Sequence, residues 1–146
     1  RDYTFVPSIY CYAGELNQVF MNILGNAIDA IEEDDRYHLS PDEDQSEHPD
    51  QSSNLPVPKI YIQTEKVNED WVTIHIADNG PGIPEQVQSK LFDPFFTTKE
   101  VGKGTGLGLS ISYQIIVEKH GGKLWCHSLE GEGSEFVIQL PIAPKL

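Results

Sequence analysis

Trp71-Val72-Thr73-Ile74-His75-Ile76-Ala77-Asp78-Asn79-Gly80-Pro81-Gly82-Ile83-Pro84 is the stretch whose reading decides the fold. Its first half alternates as a half-buried strand does, with Val72, Ile74 and Ile76 on one face. Period two carries that face on to Asp78. A carboxylate that continues an apolar stripe is costly unless something donates hydrogen bonds to it. Gly80 and Gly82 follow at once, and residues without a Cβ let a backbone or a flat ligand come close. Asp78 therefore reads as an acid waiting for a donor on a ligand.

Outward from this stretch the pattern stays regular. Residues 59–66 form a second strand, joined to the first through a turn at 67–70. Pro84 opens a short helix at 85–91. Residues 92–105 are irregular and contain glycine. A long helix runs over 106–120 and stops at Gly121-Gly122. Two closing strands, 123–128 and 135–140, form a hairpin around Leu129-Glu130-Gly131-Glu132-Gly133. Near the start, residues 14–33 form a long amphipathic helix, because Leu16, Phe20, Ile23, Leu24, Ala27, Ile28 and Ile31 recur at three and four. The opening, 3–12, is extended and interrupted by Pro7. Between 34 and 58 the periodicity collapses into an acidic, proline-bearing stretch, read as a solvated insertion loop without chemistry of its own. Helices clustered with a largely antiparallel sheet make an α+β protein, a two-layer α/β sandwich.

With 146 residues, 38% of them hydrophobic, the chain is long enough for one domain with its own core, spanning 1–146. A formal net charge of −13 argues against general nucleic-acid binding. An anionic ligand would need a cation or a few placed lysines. No apolar run approaches membrane-spanning length and no signal peptide is visible. A chain that opens on Arg1 is expected to be a fragment. Cys11 and Cys126 lie far apart without metal spacing and are expected as buried free thiols.

Three constellations carry candidate chemistry. On the first helix Glu15, Gln18, Asn22, Asn26 and Asp29 share a second face. Asparagine is a poor helix former, so two of them four residues apart look chosen for their neutral oxygens, which suit a hard cation such as Mg²⁺. An ordinary solvated face is the plainer alternative. The second constellation is Gly102-Lys103-Gly104-Thr105-Gly106-Leu107-Gly108, whose backbone can turn N–H groups toward an anion at a helix start. It lacks the spacing of a Walker loop and the strand that a dinucleotide fingerprint requires. Lys103 and Lys99 would supply positive charge. The third is Phe92-Asp93-Pro94-Phe95-Phe96-Thr97-Thr98-Lys99, where three phenylalanines are expected to pack as a small apolar cluster, either anchoring a glycine-rich lid or simply packing the core.

Taken in order, these motifs resemble the ATP-binding catalytic domain of sensor histidine kinases. The N box stands as Asn22-Ile23-Leu24-Gly25-Asn26-Ala27-Ile28-Asp29-Ala30. The first glycine box is Asp78 to Pro84, the F box Phe92-Asp93-Pro94-Phe95-Phe96, and the second glycine box Gly104-Thr105-Gly106-Leu107-Gly108-Leu109. Gly131-Glu132-Gly133-Ser134-Glu135-Phe136 looks like a final glycine motif. The match spans 9–141.

The resemblance implies the Bergerat-type fold shared with DNA gyrase and mismatch-repair ATPases, with a mixed, mainly antiparallel sheet of about five strands under about three helices. It implies ATP and Mg²⁺. Asp78 would accept from the adenine amine through a site that includes Gly80, Gly82 and Ile83, and Ser134 would hold an assisting water. Asn26 and Asn22 would face metal and phosphates beside Asp29. Lys99, Lys103 and the amides of Gly102 and of Gly104 through Gly108, with Thr105 and Leu107, would hold phosphate as the lid closes. Asn22, Asn26 and Lys103 would carry catalysis. ATP-hydrolysing relatives place a glutamate where this chain has Asn22, and asparagine is a poor general base. That favours transfer of the γ-phosphoryl group to a protein nucleophile by positioning and charge neutralisation.

The acceptor is absent, since none of His38, His48, His75, His120 and His127 has the helical, acid-flanked context, and each is expected in a structural or surface role. The resemblance thus implies the cytoplasmic catalytic part of a two-component kinase. Its own phosphoacceptor helices and a downstream response regulator would be its partners. The isolated domain is expected as a monomer without direct membrane contact, and the full kinase as a homodimer. A nucleotide-binding sensor module without transfer, and an ATPase or serine kinase of the same superfamily, are the alternatives.

Overall fold

The computed structural model describes residues 5–38, 56–99, 104 and 106–143. Helix α1, Ala13–Glu32, buries Leu16, Val19, Ile23 and Ala27 along one stripe. Glu15 in its first turn lies where the helix dipole favours an anion. A 3₁₀ turn, Asp35–Tyr37, follows. Strands β1, Ile60–Lys66, and β2, Trp71–Asp78, come next, then the short helix α2, Glu85–Gln88. Helix α3, Gly108–Tyr113, runs directly into a π-helical stretch, Gln114–Lys119. Strands β3, Lys123–Leu129, and β4, Gly133–Pro141, close the fold.

The sheet is antiparallel throughout, in the order β1-β2-β4-β3. α1 and α3 pack on each other, and α1 also packs on β2. Between the layers lie Val19, Ile23, Ile116, Ile138 and Leu140, each at most 1% exposed. Each contributes about 1.5–3 kcal/mol relative to an exposed side chain. Register places Asp78, the last residue of β2, opposite Ser134 near the start of β4. The apolar stripe of β2 therefore ends at the acid, beside the closing hairpin.

Among the described residues four strands stand where about five were expected, because residues 5–12 form no strand although Ile9 packs on the core. The second long helix is shorter than its periodicity suggests. Its last turns widen, so that Gly122 N–H reaches Ile116 O at 2.8 Å and adjacent Ile115 and Ile116 are both buried. The phenylalanines do not cluster: Phe92 packs against Phe136 and Tyr113, whereas Phe95 is 74% exposed. Phe95 adopts φ 64°, a backbone conformation that side chains of its size rarely take. Both cysteines are free, but Cys11 is exposed on the opening segment. Burial, and then the charges of Asp78 and Glu135, push the Cys126 thiol up to about 12.

The four described histidines all have polar partners. His75, on the sheet face away from the helices, lies between Glu135 Oε1 at 3.0 Å and Glu65 Oε1 at 3.5 Å. His120 accepts the Tyr12 N–H at 3.0 Å while its Nδ1 meets Ile115 O at 2.7 Å. His127 accepts from Trp125 Nε1 at 2.9 Å, and His38 meets Glu32 O. His48 lies outside the described residues, as does most of the acidic insertion.

Candidate functional site

A cleft of about 880 Å³ opens between the helices and the end of the sheet, a volume suited to a ligand of nucleotide size. One wall is α1, presenting Asn22, Asn26 and Asp29. The base is Asp78, Ser134 and Phe136. Gly82 and Ile83 form the loop side, while Lys99, Gly104, Gly106 and Gly108 form the rim leading into α3. Gly80 is buried behind this surface and acts through its N–H. Leu107 does not line the cleft; its carbonyl accepts from Ile111 N–H and Ser110 Oγ as α3 begins. Gly102, Lys103 and Thr105 lie outside the described residues.

Asp78 is half-buried and already partnered. Its carboxylate accepts from Gly80 N–H at 2.9 Å and from Ser134 N–H. Burial pushes the carboxyl above its ordinary range, and the two N–H groups pull only part of the way back. A donor arriving from a ligand would complete its shell. Beside it the Ser128 hydroxyl donates to Gly133 O at 2.9 Å and accepts Ile83 N–H at 2.7 Å. Since a carbonyl can only accept, that proton is committed, and Ser134 Oγ is the donor in the 2.9 Å pair with Ser128 Oγ. The lone pairs of Ser134 remain available for a water.

Two backbone approaches shape the walls. At Gly82, φ +75°, an added Cβ would lie 2.1 Å from Leu129 O, so the first glycine box abuts the hairpin turn directly. At Gly106, φ +69°, it would lie 2.4 Å from the Phe95 carbonyl carbon, so the second glycine box rests on the backbone of the F box. Only glycine fits either place.

On α1 the two asparagines differ. Asn22 Nδ2 donates to Gly108 O at 3.1 Å and Ser112 Oγ at 3.2 Å, which ties α1 to the start of α3. The Asn26 side chain has no hydrogen-bond partner among the described residues. Asp29 pairs with Lys99 Nζ across the cleft rim. No group of three or more His, Cys, Asp or Glu that could hold a metal occurs among the described residues. The donor set is one of hard oxygens: the Asn26 carboxamide and the Asn22 oxygen. That fits Mg²⁺ held jointly with phosphates, since Mg²⁺ takes few protein ligands.

Three contributors escape sequence reading. Ser128 joins Ile83 to the closing hairpin, as above. Gln88 Nε2 donates to Ile83 O at 2.8 Å and Ser128 O at 3.1 Å. Arg36 reaches carbonyls on both turns beside Asp78. Only the glutamine offered a signal, as a polar residue one turn into a helix whose apolar face meets the cleft.

The profile of the family described as histidine kinase-, DNA gyrase B-, and HSP90-like ATPase matches residues 12–144. The chain is 38% identical over 137 residues to sporulation kinase E of Bacillus subtilis, covering 94% of this chain and 15% of that protein. It is 40% identical over 131 residues to sensor kinase CckA of Brucella abortus, covering 88% and 12%. The chain thus spans a small fraction of the length of these curated relatives. Among solved structures, the nucleotide-free catalytic domain of histidine kinase ThkA superposes with a TM-score of 0.68 at 33% identity, covering 93% of this chain and 73% of that one.

Proposed function

This chain belongs to the family of histidine kinase-, DNA gyrase B- and HSP90-like ATPases, as a catalytic domain of the sensor-kinase type, and we propose that it binds Mg-ATP and transfers the γ-phosphoryl group to a histidine on a separate dimerisation domain. The observation that carries this reading is the division of one cleft. A recognising acid, Asp78, sits at its base, and neutral carboxamides, Asn22 and Asn26, line its helical wall. Asp78 accepts from the adenine amine, with Ser134 holding a water beside it. Asn26 is the metal-facing oxygen donor. Asn22, tied by its amide nitrogen to Gly108 and Ser112, sets where the glycine-rich segment begins α3.

Bound Mg²⁺ would supply charge neutralisation on the phosphates. Lys99, held at the rim by Asp29, exchanges that carboxylate for phosphate, and Lys103, Thr105 and the amides of Gly102, Gly104, Gly106, Leu107 and Gly108 complete the phosphate end. With a carboxamide at position 22, nothing on α1 there can take a proton from water, which favours transfer over hydrolysis.

Partners follow from the same reading: the protein's own phosphoacceptor helices, a second copy in the full kinase, and a response regulator. We place the domain in the cytoplasm; no helix among the described residues is long and apolar enough to cross a membrane. The test supplies matching phosphoacceptor helices with Mg-ATP in trans and follows acid-labile phosphate. Acid-labile label on the helices is expected. An intact, ATP-binding sample that transfers none overturns the kinase reading, and rapid hydrolysis without transfer would assign an ATPase instead.

A further inference from the structure

We infer that Arg36 is a positioning residue for the base-recognising end of the cleft: one guanidinium holds together the two backbone turns that carry Asp78 and Ser134. The inference rests on the nucleotide reading above and assigns a role that the motifs do not contain.

Arg36 lies in Asp34-Asp35-Arg36-Tyr37, directly after α1. Asp34 caps the 3₁₀ turn by accepting Arg36 N–H at 3.0 Å. Its carboxylate, 5% exposed, also takes Arg36 Nε at 3.0 Å and Nη2 at 2.7 Å. The guanidinium holds the Asp34 carboxyl below its ordinary range, so the pair stays ionised. This fixes the plane of the guanidinium and aims its remaining N–H groups outward. Nη1 donates to Gly131 O at 2.7 Å, on the closing hairpin. The second N–H of Nη2 is shared between Gly80 O at 2.7 Å and, at longer range, Asn79 O at 3.2 Å, on the first glycine box. Carbonyl oxygens that converge from two loops repel one another. A planar fork of donors satisfies them, which a compact ammonium cannot do.

The route to Asp78 is a single peptide unit. Asn79 O and Gly80 N–H belong to the same planar peptide and point in opposite directions. On the oxygen side stand Arg36 Nη2 and Tyr37 Oη, the latter donating to Asn79 O at 2.6 Å. On the N–H side stands Asp78 Oδ1 at 2.9 Å. Holding the oxygen therefore aims the N–H that orients the recognising carboxylate. Gly131 N–H, donating to Pro81 O at 2.7 Å, closes the second link between the turns and keeps Ser134 in register with Asp78.

The experiment is a double-mutant cycle read by calorimetry with ADP. The variants are Arg36→Ala, Asp78→Asn and the pair, with thermal melts of each. Arg36→Ala alone is expected to weaken ADP binding about tenfold, the scale of a misplaced charged hydrogen bond. In the Asp78→Asn background it should add less than about twofold, because Arg36 acts through Asp78. Arg36→Lys keeps the charge without the fork and should not rescue. Tyr37→Phe removes only the bond to the same Asn79 oxygen and should weaken ADP binding by a smaller factor with the same coupling, which keeps the test open if Arg36→Ala fails to fold. Additive losses, full rescue by lysine, or unchanged ADP affinity overturn the inference while leaving the nucleotide reading intact. A folded parent that does not bind ADP overturns the nucleotide reading itself, and this inference with it.

Discussion

Replacing Asp78 by asparagine separates recognition from stability. Without a ligand the carboxylate accepts from Gly80 N–H and Ser134 N–H, and burial still holds its pKa above the ordinary range. The ionised form is thus a net cost to the fold. Because the folded pKa is raised, the stability contributed by protonated Asp78 is complete below the ordinary carboxylate pKa. It is lost as pH rises through the folded value. At neutral pH asparagine removes that cost, and the nucleotide-free variant is expected to melt no lower than the parent. Recognition moves the other way. The amide oxygen stays with the two fixed backbone donors, and the new NH₂ group meets the adenine amine donor to donor. The loss is about 1–3 kcal/mol, the scale for an impaired buried hydrogen bond to a charged group, or roughly 5- to 150-fold in Kd. Calorimetry with ADP and thermal melts at neutral pH measure both. Repeating the titration at lower pH should bring parent and variant together, since Asp78 loses its charge there before an ordinary aspartate does. ADP affinity within about twofold of the parent would remove Asp78 from the base site. A variant that melts well below the parent would refute the claim that the ionised carboxylate is a cost.

Two further substitutions probe the walls of the cleft. Asn26→Ala is expected to weaken ATP binding on the order of tenfold in Mg²⁺ and little in EDTA, because an oxygen without a partner among the described residues is lost from the proposed metal side; equal losses in both buffers would sink the metal role. Gly82→Ala forces a Cβ to within 2.1 Å of Leu129 O at φ +75°. It should cost at least about 1–3 kcal/mol of backbone strain and lower the melting temperature by several degrees, and an unchanged melt would show that the two turns do not abut.

What could be read from sequence divides by range. The stripe on α1 and the alternation of β2 are set by neighbours three, four or two residues apart, so periodicity finds both. Period two also places Asp78 correctly at the end of its stripe. Contacts between distant segments leave no such mark. Arg36 sits in a stretch without periodicity, and its partners at Gly80 and Gly131 are 44 and 95 residues away. The lock of Asn22 onto Gly108 spans 86 residues, and Ser128 onto Ile83 spans 45. Phe95 was misread for a different reason: composition does not reveal that its backbone is left-handed. The same division explains the site. On the nucleotide reading proposed above, the motif residues are those that would meet the ligand, and their types would follow from the chemistry of base, phosphate and cation. The residues that aim them act on backbone carbonyls far away in the chain, which leave no mark in the sequence beside them. A half-buried acid whose charged form is a cost to the fold needs such aim more than most groups do.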